Sequence, residues 1–90
     1  MHDIVETSAF RRDVKRTKKR NKDLKKLRDV VFKLASGENL PHKNKQHPLT
    51  GNWKPKWECH IEPDWLLIYE IIGEELRLAR TGSHADLFKM

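Results

Sequence analysis

Lys56-Trp57-Glu58-Cys59-His60-Ile61-Glu62-Pro63-Asp64-Trp65-Leu66-Leu67-Ile68-Tyr69-Glu70-Ile71-Ile72 is the stretch on which the architecture turns. From Lys56 to Glu62 the polarity alternates. Trp57, Cys59 and Ile61 point one way, and Lys56, Glu58, His60 and Glu62 point the other. Pro63-Asp64 is turn chemistry, with proline fixing φ at the first central position. Trp65 to Ile72 is then apolar on both faces, as a strand at the centre of a sheet would be. Strands are therefore expected at 56–62 and 65–72. Gly73-Glu74-Glu75 turns the chain into a third, 75–81, which Gly82 ends. Its parity is awkward, because Arg80 shares a face with Leu76 and Leu78. Either a bulge intervenes or that face is half buried.

Outward from this meander, residues 2–6 read as a short strand. Thr7 or Ser8 can cap a helix over 7–20, whose apolar stripe is only Phe10 and Val14. Asn21 tolerates a left-handed backbone and Asp23 can cap, which breaks the chain into a second helix over 22–36. Leu24, Leu27, Val31 and Leu34 line that helix at spacings of three and four, reinforced by Val30, and Gly37 stops it. Residues 38–55, with Pro41, Pro48, Gly51 and Pro55, have no period; His42, His47 and Trp53 argue for an ordered loop. Residues 82–90 form a short tail. The plan is a single α+β domain over 1–90, ordered β-α-α-β-β-β, with two helices on one face of a small antiparallel sheet.

Ninety residues leave room for one small domain. Three Trp, three Phe and ten Leu supply a core, which argues against disorder along the whole length. A single cysteine, Cys59, rules out an internal disulfide framework and suits a reducing cytoplasm. No apolar run approaches the ~20 residues of a membrane span, and the start lacks a signal-peptide layout. The expectation is a soluble, intracellular, basic domain.

The net charge is +6, and it is unevenly spread. Residues 1–45 carry 14 basic and 6 acidic side chains; residues 46–90 carry 5 and 7. Arg11, Arg12, Lys15, Arg16, Lys18, Lys19, Arg20, Lys22, Lys25, Lys26 and Arg28 crowd into 18 residues against Asp13 and Asp23. Such a block repels itself, so a polyanionic partner is a reasonable inference and a merely solvated face the bland one.

Candidates for chemistry concentrate in the second half: His47, His60, Asp64, Arg80 and His84. His60 lies opposite the core-facing Cys59 and Ile61, on the sheet surface away from the helices. The spacings His42-x4-His47, His47-x12-His60 and His60-x23-His84 match no zinc signature, and no glycine-rich phosphate loop is present. Cys59 and His60 point to opposite faces, so they make no nucleophile pair. The expectation is acid–base chemistry without a metal or any other cofactor. Imidazoles exchange protons near neutral pH, which matches RNA cleavage through the 2′-hydroxyl. The bland reading makes the same histidines hydrogen-bonding surface residues.

Three ordered strings carry a resemblance: His47-Pro48-Leu49-Thr50-Gly51-Asn52-Trp53, Cys59-His60-Ile61-Glu62-Pro63-Asp64-Trp65-Leu66-Leu67-Ile68-Tyr69 and Arg80-Thr81-Gly82-Ser83-His84-Ala85-Asp86-Leu87-Phe88. Together they resemble the YafQ family, a branch of the RelE/ParE superfamily of bacterial toxin–antitoxin toxins. The resemblance covers essentially the whole chain. It implies a RelE/ParE-like fold and a ribosome-dependent mRNA interferase of the bacterial cytoplasm, silenced by a cognate antitoxin protein. The family's functional positions fall on His47, His60, Asp64, Arg80, His84 and Phe88. His84 is then the leading proton-transfer residue, with His47 or His60 as its counterpart. Asp64 orients an imidazole and Arg80 stabilises the phosphorane. Phe88 stacks a base or plugs the core, whereas Trp53, Trp57 and Trp65 read as core. The basic helices, from Arg11 to Lys26, would contact ribosomal RNA. A gyrase-inhibiting toxin of the same fold and a non-catalytic nucleic-acid-binding module are the competing readings.

Overall fold

The computed structural model describes residues 1–88. In chain order it runs β1 (Asp3–Glu6), α1 (Ser8–Lys19), α2 (Leu24–Ala35), β2 (His47–Pro48), β3 (Trp57–Glu62), β4 (Trp65–Ile72), β5 (Glu75–Gly82) and α3 (His84–Phe88). The last two positions of the expected 82–90 tail lie outside the described residues. Local chemistry sets the helix ends. Thr7 Oγ1 accepts the Phe10 N–H at 3.1 Å to cap α1, and Asp23 accepts the Lys25 N–H at 3.0 Å to cap α2. Asn21 sits between them at φ 60°, and Gly37 follows α2 at φ 76°.

The five strands lie in the order β1-β5-β4-β3-β2. Strands β2 to β5 are antiparallel neighbours, but β1 runs parallel to β5, with Asp3 opposite Glu75 and Glu6 opposite Leu78. The sheet is therefore mixed, which corrects the expected all-antiparallel arrangement. Parallel neighbours need a long crossover between them, and the whole of α1, α2 and the β2–β4 segment provides it. A four-residue strand carries no mark of its direction. Strand β2 and helix α3 are additions within the expected loop and tail.

Over Trp65–Tyr69, strand β4 is buried on both sides. Trp65, Leu67 and Tyr69 join Phe10, Leu27, Val31, Leu34, Cys59, Leu76 and Leu78 in the core beneath the helices. Leu66 and Ile68 face the other way, where Leu87 covers them with Leu49, Trp53, Ala79 and Phe88. The loop before β3 and the tail thus build a second, smaller core. Trp57, expected inside, is 40% exposed. It starts β3 opposite Tyr69, at an end of the sheet where Ile71 and Ile72 are also exposed and the helices give no cover.

The awkward parity of β5 is resolved by a bulge. Ile68 pairs with Arg80 and Tyr69 with Leu78, leaving Ala79 between them. Leu78 stays beneath the helices, and Arg80 shifts out of that register. Because β1 stops opposite Leu78, the edge of β5 beyond it is open towards α1. There Asp13, with its side chain only 4% exposed, collects four donors. Its Oδ2 accepts from Arg80 Nε at 2.6 Å and the Thr81 N–H at 3.1 Å. Its Oδ1 accepts from Arg16 Nη2 at 2.8 Å and Arg80 Nη2 at 3.2 Å. One carboxylate pins α1 to the last strand.

Replacing Asp13 by Ala leaves the buried Thr81 N–H without its acceptor, while both arginines can turn to water. Urea unfolding of Asp13→Ala should show a loss of about 1–3 kcal/mol. The exposed Asp29→Ala should stay within roughly 0.5 kcal/mol of the parent.

Candidate active site

Three elements bring the imidazoles together on the second face of the sheet. Strand β3 supplies His60. The two-residue β2 places His47 opposite Glu58, and the tail turns back after Gly82 to place His84 at the start of α3. The ring centroids of His47 and His60 are 6.5 Å apart, and those of His60 and His84 are 5.8 Å apart. Phe88 continues the row, 6.4 Å from His84, and meets Trp53 edge-on at 5.5 Å. Phe88 thus packs on the small core while its ring stands beside the imidazoles.

Each imidazole is oriented by a specific acceptor. His84 has Nδ1 2.6 Å from Asp64 Oδ1, and its backbone N–H donates to the same oxygen at 2.9 Å. With the Nδ1 proton given to Asp64, Nε2 of the neutral ring keeps its lone pair, as a base requires. The bonds from the His84 backbone and then from its ring hold the Asp64 carboxyl below its ordinary range. A carboxyl lowered on folding keeps its bond above the ordinary carboxylate range and loses it only as pH falls through the lowered value. The link is thus intact at neutral pH.

His47 is arranged differently. Its Nδ1 lies 2.7 Å from the Lys45 carbonyl and its Nε2 3.1 Å from Glu58 Oε2. With acceptors on both sides, its hydrogen bonding is complete when both nitrogens carry protons, as an acid requires. His60 Nε2 stands 3.6 Å from the same Glu58 oxygen, and its Nδ1 3.3 Å from the Pro63 carbonyl. Asn44 Nδ2 donates to the His60 carbonyl at 2.6 Å and fixes the backbone there.

Glu58 is the residue that sequence reasoning missed. Its side chain is 7% exposed and faces two imidazoles. Alternation along 56–62 already set Glu58 on the face of His60. What it did not reveal is β2, whose pairing brings His47 across from Glu58.

Arg80 is not in the row of rings. Its Nε and Nη2 are held by Asp13, so this guanidinium has a structural partner before any substrate arrives. The basic set divides in the same way. Arg16 and Arg20 face Asp86, and Lys22 and Lys26 both bind Glu62, at 3.0 and 2.9 Å. Arg11, Arg12, Lys15, Lys18, Lys19 and Lys25 are exposed on the helices, and the described residues give them no ion pair.

A family profile described as "Bacterial toxin of type II toxin-antitoxin system, YafQ" matches residues 2–89. The mRNA interferase toxin YafQ of Escherichia coli K12 is 44% identical over 87 residues, which is 96% of this chain and 95% of that one. The crystal structure of the E. coli DinJ-YafQ toxin-antitoxin complex contains a chain that superposes with a TM-score of 0.88 at 43% identity, covering 97% of each. A copper-bound mutant toxin from Helicobacter pylori superposes at 0.94 with 36% identity, covering 98% of this chain and 100% of that one. In the present chain, the described residues include no group of three or more His, Cys, Asp or Glu side chains arranged to hold a metal ion.

Cys59 belongs to the main core, and burial pushes its thiol up to about 12, with the Glu58 carboxylate adding to the effect. The thiolate is the reactive form, so Cys59 takes no part in the chemistry. Iodoacetamide at pH 8 should leave it unmodified in the folded protein and alkylate it fully in denaturant, as read by intact mass.

Proposed function

The chain belongs to the YafQ family of bacterial type II toxin–antitoxin toxins, and from that membership we propose a mechanism for its cleavage of messenger RNA. His84 Nε2 takes the proton of a ribose 2′-hydroxyl. The freed oxygen attacks the adjacent phosphorus, and the 5′ oxygen leaves with a proton from His47. The products are a 2′,3′-cyclic phosphate and a 5′-hydroxyl, with one proton taken and one returned. His60, between the two, holds the same buried carboxylate as His47 and adds positive charge when protonated. The observation that carries this reading is the opposite provision for the outer rings. His84 has one acceptor and an open nitrogen, and His47 has acceptors on both nitrogens.

Glu58, 3.1 Å from His47 Nε2, keeps that ring turned towards the row. Asp64 does the corresponding work for His84 by fixing its tautomer. Phe88 offers its ring to a base next to the scissile bond, a stack typically worth ~1–3 kcal/mol. We assign Arg80 to the end of β5 as an anchor whose charge supports the anionic transition state from beside the site.

The partners are messenger RNA, as the name of the E. coli interferase has it, and a cognate antitoxin protein, as in the DinJ-YafQ complex. We place the protein in the bacterial cytoplasm and on the ribosome. The support for the ribosome is the exposed cationic surface of α1 and α2, which lies across the sheet from the histidines. Contact with RNA phosphates there releases counterions and makes docking strongly salt-dependent.

His84→Ala should lower the rate of message cleavage by at least about 100-fold. Its unfolding midpoint should stay at that of the parent, because His84 is partly exposed. Glu58→Gln should reduce the rate, since an amide holds the His47 and His60 rings less firmly than a carboxylate. Wild-type cleavage in His84→Ala, with message ends mapped after a brief pulse of expression, removes the mechanism. Reversing charge at Lys15, Lys18, Lys19 and Lys25 should abolish pelleting with ribosomes at moderate salt while leaving the fold unchanged. Undiminished pelleting gives that surface to the antitoxin or to solvent.

A further inference from the structure

Helix α3 is five residues long and follows directly on the last strand, yet it must hold His84 to within a fraction of an ångström. A helix of that length has no stability of its own. We propose that Asp86, gripped by Arg20 of α1, is the positioning residue that sets His84 for proton transfer. The proposal rests on the reaction assigned above.

Asp86 makes two sets of bonds. Within the tail its Oδ2 accepts the Ser83 N–H at 2.9 Å, while its own N–H donates to Ser83 Oγ at 3.1 Å. This reciprocal Ser-x-x-Asp pair is a capping box, and His84 is the first residue inside it. Across the molecule, Arg20 Nη1 and Nη2 donate to the two oxygens of Asp86 at 2.6 and 3.1 Å, and Arg16 Nε stands 3.8 Å away. A bidentate pair fixes orientation as well as distance. Fixing Ser83 and Asp86 fixes the backbone of His84, whose N–H and ring then both reach Asp64 Oδ1. Leu87, buried against Leu66 and Ile68, and Phe88 against Trp53 hold the far end.

Gly82 shows how closely this clamp is fitted. A Cβ on Gly82 would lie 3.0 Å from Arg16 Nη2 and 3.0 Å from Asp86 Oδ2, and its φ of 156° is one that side-chain-bearing residues rarely adopt. The backbone has given up a side chain where the ion group passes. The Arg20 bonds also draw the Asp86 carboxyl far below its ordinary range. Arg20 is half exposed, and an exposed pair adds little to overall stability. Its effect therefore falls on geometry.

The test is a double-mutant cycle on message cleavage by ribosome-bound protein, using Arg20→Ala, Asp86→Ala and the double variant. Each single variant should lower kcat about ten-fold with KM nearly constant, and the double variant should be no slower than either. Arg20→Lys should recover part of the loss, since an ammonium gives one bond where the guanidinium gives two. Asp86→Asn, which keeps an acceptor for the Ser83 N–H, should lose less than Asp86→Ala. In the ring ¹H–¹⁵N spectrum the His84 Nδ1–H signal should broaden in both alanine variants, with unfolding midpoints unmoved. Multiplying effects, a change confined to KM, or an unaltered His84 signal would overturn the proposal. A parent protein that cuts no message refutes the assigned reaction instead, and the ring signal still decides the clamp.

Discussion

Strand β4 has no polar side, and the rest of the molecule follows from that. A strand with Trp65, Leu67 and Tyr69 on one face and Leu66 and Ile68 on the other needs a cover over each. The helices supply the first. The irregular segment before β3 and the residues after β5 supply the second. Those are the segments that carry His47 and His84. Burying two aliphatic side chains therefore draws three distant imidazoles into one row. The forces that complete the core also assemble the site.

Much of this was legible. Alternation over 56–62 and the largely apolar stretch over 65–72, interrupted only by Glu70, marked a hairpin with a central strand, and both are present. The Thr7 and Asp23 caps, the left-handed Asn21 and the apolar stripe of α2 were local signals of local structure. The resemblance in three motifs pointed to the family that the profile and the solved relatives then established. His60 was placed on the face away from the helices from parity alone, and it lies there.

What was not legible was long-range. The direction of β1 depends on a partner some seventy residues away, and nothing in Asp3-Ile4-Val5-Glu6 records it. Strand β2 is two residues long, too short to show a period, yet its pairing decides that Glu58 faces His47 as well as His60. The parity conflict at Arg80 did signal a bulge, but the partner of the guanidinium is a buried aspartate on a helix otherwise read as a charged surface. Asp13 was counted as one acid among eleven bases. Its burial comes from the end of β1, which leaves the edge of β5 open there. Trp57 was misplaced because alternation tells which face a side chain takes and not whether that face is covered along its whole length.

The helices and the row of rings lie on opposite sides of one sheet. The exposed lysines of the helices and the row of rings thus have separate residue lists, and Arg20, held by Asp86, stands with the second. Substitutions in the outer turns of α1 and α2 can therefore alter the charged surface without disturbing the row of imidazoles. The exception is position 20, whose guanidinium grips the carboxylate behind His84.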